Sequence, residues 1–229
     1  MRQGEHRRRR RLGAAALALA AFLLAVFPLI RPFFPMDPTV PEPTLRAASG
    51  PFTSAPWLLA HSIAMLAFVL LMCGTLALYA RLANGEREAV ALWGLVSSLT
   101  GIALIMPMLG VETHIMPLVG TLYLSGTTGI APIVGQIYLG PAIAVFLLGL
   151  LLLAIGSICF AVAVWRTRVL PRWSGVIYAV GLALWFPPFS RAVRVVDGVL
   201  IGVGGIWLAC GLWREVGPVP SREGARSAR

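Results

Sequence analysis

The chain has 229 residues, 58% hydrophobic and 12% charged, with a formal net charge of +10 and a mean hydropathy of +0.84. That is more apolar surface than one soluble domain can cover with polar groups, which excludes a water-soluble globular fold. All 19 basic residues are arginines, so Schiff-base chemistry on a lysine is excluded, and their placement in short runs between apolar segments marks membrane topology and not a nucleic-acid surface.

A spanning helix needs about 20 apolar residues, because each residue rises about 1.5 Å through roughly 30 Å of hydrocarbon and every backbone polar group must bond internally. Six segments qualify in chain order: 12–30, 57–80, 89–109, 141–165, 173–189 and 195–213. The first five carry no formal charge and the sixth contains only Asp197 near its start. The expected fold is an all-α polytopic transmembrane bundle, preceded by a basic N-terminus at 1–11 and followed by a disordered tail at 214–229.

Cytoplasmic flanks collect positive charge, so the arginines orient the chain. With the N-terminus inside, 15 arginines lie on the inner side and four outside, namely Arg31, Arg46, Arg191 and Arg194. A seventh crossing through 115–134 would leave ten against nine, so six crossings with both termini cytoplasmic is the better count. Residues 7–27 also have the basic and apolar regions of a secretory signal. No small-x-small cleavage site follows, and "PLIRPFFP" comes instead, so the segment is expected to stay as the first membrane helix. The arginine-, alanine- and glycine-rich usage resembles that of a high-GC bacterium, and the cell inner membrane is the expected location. The bilayer is the expected partner, along with other membrane subunits or further copies of the chain.

Two outer segments remain. Residues 31–56 contain seven prolines and read as an extended loop that could cap the bundle. Residues 110–140 are too apolar for a free loop and too rich in glycine and proline for one long helix, so short helices or a re-entrant piece are expected.

With this topology the ionisable residues outside the arginine-rich loops share one outer layer. His61 lies about one turn below the outer end of the second span, Glu112 and His114 follow the third, and Arg191, Arg194 and Asp197 flank the start of the sixth. Imidazole, carboxylate and nearby methionine together suit a transition metal or haem, with His61, Glu112 and His114 as candidate ligands. The same Glu and His in a partly dry vestibule could instead carry protons or bind a cation. Glu112 and His114 point about 200° apart on a regular helix, so they converge only where the chain leaves it.

The inner half holds Cys73, Cys159 and Cys210, which face the reducing side and are expected to be unpaired. Gly198 and Gly202 form a GxxxG pair. Gly94 and Gly101, like Gly149 and Gly156, are seven apart on one stripe, the spacing of close helix approach. No His-x-x-x-His pair, CxxC, P-loop or Gly-x-Ser-x-Gly elbow occurs. Two functions are therefore expected, first a non-enzymatic accessory subunit or small carrier, and second a metal- or haem-binding membrane protein or enzyme.

Overall fold

The computed structural model describes residues 2–34, 37, 39–83, 88–185 and 190–214, with backbone alone for 2–4, 6 and 7. The expected tail beyond Arg214 and the Pro187-Pro188 stop to the fifth span lie outside these residues. Those described form helices and no strand: α1 Arg2–Ile30, α2 Pro41–Phe52, α3 Ala55–Leu82, α4 Glu88–Gly110, a π-helical turn Val111–Ile115, α5 Met116–Leu124, α6 Ala131–Leu139, α7 Pro141–Thr167, α8 Arg172–Leu184 and α9 Arg191–Trp213.

Among the described residues five runs are long and apolar enough to cross a membrane: Arg8–Ile30, Ala55–Leu82, Glu88–Leu124, Pro141–Thr167 and Arg191–Trp213. Large apolar side chains such as Phe22, Leu59, Leu66, Trp93, Ile158 and Val203 point outward from them, the reverse of a soluble bundle. The chain is a multi-pass integral membrane protein.

Three elements differ from the sequence-based expectation. The proline-rich stretch contains α2: Pro41 and Pro43 occupy a first turn that needs no N–H donors, and Leu45, Ala48 and Phe52 line up as its buried stripe. The third apolar segment does not stop at Leu109 but continues through the π-turn into α5. Pro117 has no N–H for the Thr113 carbonyl, and the wider turn passes this gap by bonding Met116 N–H to the Val111 carbonyl five residues back. In the fifth segment α8 ends at Leu184 after 13 residues, and 186–189 lie outside the described residues.

The long helices and α8 close into a ring in which α1 lies between α3 and α9, α9 packs on α8, α8 on α7, α7 on α4, and α4 on α3. Missing side chains set these approaches. A Cβ on Gly101 would stand 2.6 Å from the Gly149 carbonyl and 2.7 Å from Leu153 N. Gly94 faces Gly156 one layer along, and Gly198 and Gly202 admit Pro28 and Ala25 of α1. The α9 glycine pair therefore packs within the chain. A second apolar core, including Leu45, Phe52, Trp57, Met116, Val134 and Tyr138, joins α2, α5 and α6 into a cap over one end of the ring.

Candidate functional site

Beneath that cap the ring closes on polar groups. Ser54 caps α3 by accepting the Trp57 N–H at 3.3 Å, which starts the helix so that Trp57 and His61 fall one turn apart on its inner face. The indole of Trp57 is fully buried and donates to the Glu112 backbone carbonyl at 2.8 Å. Its ring stacks against the His61 imidazole at 4.1 Å between centroids. Phe52 and Phe34 pack on the same indole, and the Arg31 guanidinium lies over it at 4.9 Å.

Glu112 sits in the π-turn and is turned inward. Its Oε1 accepts a 2.6 Å hydrogen bond from the Tyr138 hydroxyl of α6. Burial, and then the neighbouring Glu112 carboxylate, push the Tyr138 phenol well above its ordinary pKa, so it remains a donor. The other oxygen, Oε2, is buried without a hydrogen-bond partner among the described residues and lies 3.8 Å from His61 Nε2.

The proton count at this pair follows from its neighbours. His61 Nδ1 is 2.8 Å from the Trp57 carbonyl oxygen, which can only accept, so Nδ1 carries the ring proton and Nε2 of the neutral imidazole presents a lone pair. That lone pair faces an unpartnered carboxyl oxygen. Two acceptors opposed in a dry site lack one proton between them, and a proton on either atom converts the opposition into attraction. Arg31 is close enough to act electrostatically on both groups.

A second cluster lies across the ring. Asp197, fully buried on α9, accepts from Trp185 Nε1 at 3.1 Å and from Arg194 at 3.2 Å, while Arg194 also donates to the Trp185 carbonyl at 3.0 Å. Both carboxylate oxygens are thus occupied. Phe27 of α1 stands between the clusters, edge-on to His61 at 5.6 Å and tilted on Trp185 at 5.8 Å.

Of the residues singled out in the sequence, His61 and Glu112 meet. His114 is exposed, because the π-turn aims Glu112 inward and leaves the residue two positions on facing away. Asp197 and Arg194 pair with each other. Arg191 lies at the start of α9 over the Phe33 ring. Among the described residues no three His, Cys, Asp or Glu side chains gather as a metal-binding set. Sequence reasoning missed Tyr138, Trp57 and Phe27. Trp57 carried the signal of a tryptophan one turn before a membrane-embedded histidine, but Tyr138 is 26 residues from its partner and had none. No protein-family model, curated protein or solved structure matches the chain.

Proposed function

We propose that this membrane protein is a small non-enzymatic carrier in a bacterial inner membrane, crossing six times with both ends cytoplasmic, and that the His61–Glu112 pair is its proton-loading site. The observation that carries this reading is the buried Glu112 Oε2, unpartnered and 3.8 Å from the His61 Nε2 lone pair. An ionisable pair inside a membrane bundle is costly to keep unless it does something, and helices distorted into a π-turn are often distorted where they work. The bias of arginines to one end supports the orientation, with α8 completing the sixth crossing beside its longer neighbours.

Two measurements test the two halves of the proposal. In infrared spectra of reconstituted protein, a carboxylic acid C=O band should appear on acidification and be missing in Glu112→Gln. No such band in wild type would remove the loading site. In vesicles with an imposed pH gradient and an internal pH dye, wild type should pass protons, His61→Ala and Glu112→Gln should fall to background, and His114→Ala should behave as wild type. A titrating band without flux would overturn the carrier and leave a pH-sensing accessory subunit. Stoichiometric metal or a Soret band that vanishes in His61→Ala would replace both with the metal- or haem-binding reading.

A further inference from the structure

Among the described residues four arginines, Arg31, Arg46, Arg191 and Arg194, fall at the cap end, and three of them are neighbours. Arg31 follows directly on α1 and Arg191 opens α9, yet their guanidiniums lie over the same ring, Phe33, at 5.3 and 5.6 Å from its centroid. Arg194 is near enough to Arg31 for the two to repel, but its charge is matched by Asp197 at 3.2 Å. Among the described residues neither Arg31 nor Arg191 has a carboxylate within ion-pair distance. The local acids are engaged elsewhere: Asp37 accepts from Thr39 at 2.6 Å, Glu42 from Tyr123 at 2.9 Å, and Glu112 from Tyr138 at 2.6 Å.

Like charges gathered at the edge of a low-dielectric body repel strongly unless an anion joins them. The backbone adds to the attraction for one. The α9 N-cap residue, Ser190, makes no side-chain capping bond, so the first-turn N–H groups and the positive end of a 23-residue helix face the same rim as Arg191. Two guanidiniums, each within 5.6 Å of one ring centroid and beside a helix N-terminus, supply charged donors to an oxyanion at that rim.

We propose that Arg31 and Arg191, with Phe33 between them, form a binding site for a phosphate-type anion at the cap end of the bundle. This site shares Arg31 with the surroundings of His61–Glu112 but does not depend on the carrier reading. Its phosphate comes either from solution or from the headgroup of an anionic phospholipid in the adjoining leaflet.

The test uses the full chain in nanodiscs. In discs of phosphatidylcholine alone, labelled inorganic phosphate is titrated; in a second arm, phosphatidylglycerol replaces a fraction of the lipid and native mass spectrometry counts retained anionic lipids. Saturable binding in the first arm identifies soluble phosphate, and selective lipid retention in the second identifies the headgroup. In either case Arg31→Gln/Arg191→Gln should weaken binding at least about tenfold, the loss of one or more charge-assisted contacts. Arg46→Gln, on α2, should leave it unchanged. Arg191→Gln alone, at an exposed position, gives a milder loss and keeps the test decisive if the double variant folds poorly. No saturable binding in either arm, or binding that is equal in wild type and the Arg191 variant, would overturn the proposal.

Discussion

Replacing Tyr138 by Phe removes one hydroxyl and tests whether the cap holds Glu112 in place. The deleted 2.6 Å bond is the only hydrogen bond to the Glu112 carboxyl among the described residues, so the variant leaves both oxygens buried and unpartnered. A hydrogen bond to a charged acceptor contributes about 1.5–3 kcal/mol and one to a neutral acceptor about 0.5–1.5 kcal/mol. Tyr138→Phe should therefore cost about 2 kcal/mol, which for a chain of this size lowers Tm by roughly 4–8 °C. In a Glu112→Gln background the amide oxygen still accepts, as a neutral group, and the same substitution should cost about half as much. Thermal unfolding of the four proteins in one detergent, followed by tryptophan fluorescence, closes the double-mutant cycle. A cost below about 0.5 kcal/mol in both backgrounds would show that the hydroxyl does not hold the carboxyl and would refute the assembly of the site from α6.

Two substitutions probe the ring itself. Gly101→Ala places a methyl group against the backbone of α7, 2.6 Å from the Gly149 carbonyl, and should destabilise by about 1–3 kcal/mol despite alanine's better helix propensity. Gly50→Ala, on an exposed position of α2 with nothing within 4 Å, should instead stabilise by about 0.5–1 kcal/mol, and equal melting shifts of one sign would contradict the packing account. Trp185→Phe keeps the ring between Phe27 and Phe68 but strips a donor from the fully buried Asp197. It should cost about 1–3 kcal/mol, seen as a lower midpoint in denaturant titration, and an unchanged midpoint would mean that the carboxylate does not need it.

How much of this was legible depended on the range of the interaction. Apolar runs above about 20 residues announce themselves locally, so the long helices were visible before any coordinates. Gly101 and Gly149 could also be suspected, because a seven-residue spacing places glycines on one face. The partner of each face could not. The outer layer of His61, Glu112 and Asp197 was readable as a shared depth, but depth does not give azimuth: Asp197 turned to Trp185 and Arg194, while His61 turned to Glu112. The azimuth of Glu112 is set by a π-turn, a one-residue slip in hydrogen bonding whose local cue, Pro117 seven residues after Gly110, the last residue of α4, is shared with many ordinary kinks. The helix hidden among the prolines was missed because composition was weighed without position; Pro41 and Pro43 stand where a helix tolerates them.

Phe27 gives the bundle a different kind of boundary. Its ring offers neither donor nor acceptor, yet it fills the space between the imidazole on one side and the indole–aspartate cluster on the other. The two buried polar clusters are thereby insulated like contacts in an open switch. On the proposed carrier reading, a proton held at His61 meets this phenyl before it meets Asp197, so the ring is the barrier that any transfer between the two clusters has to pass.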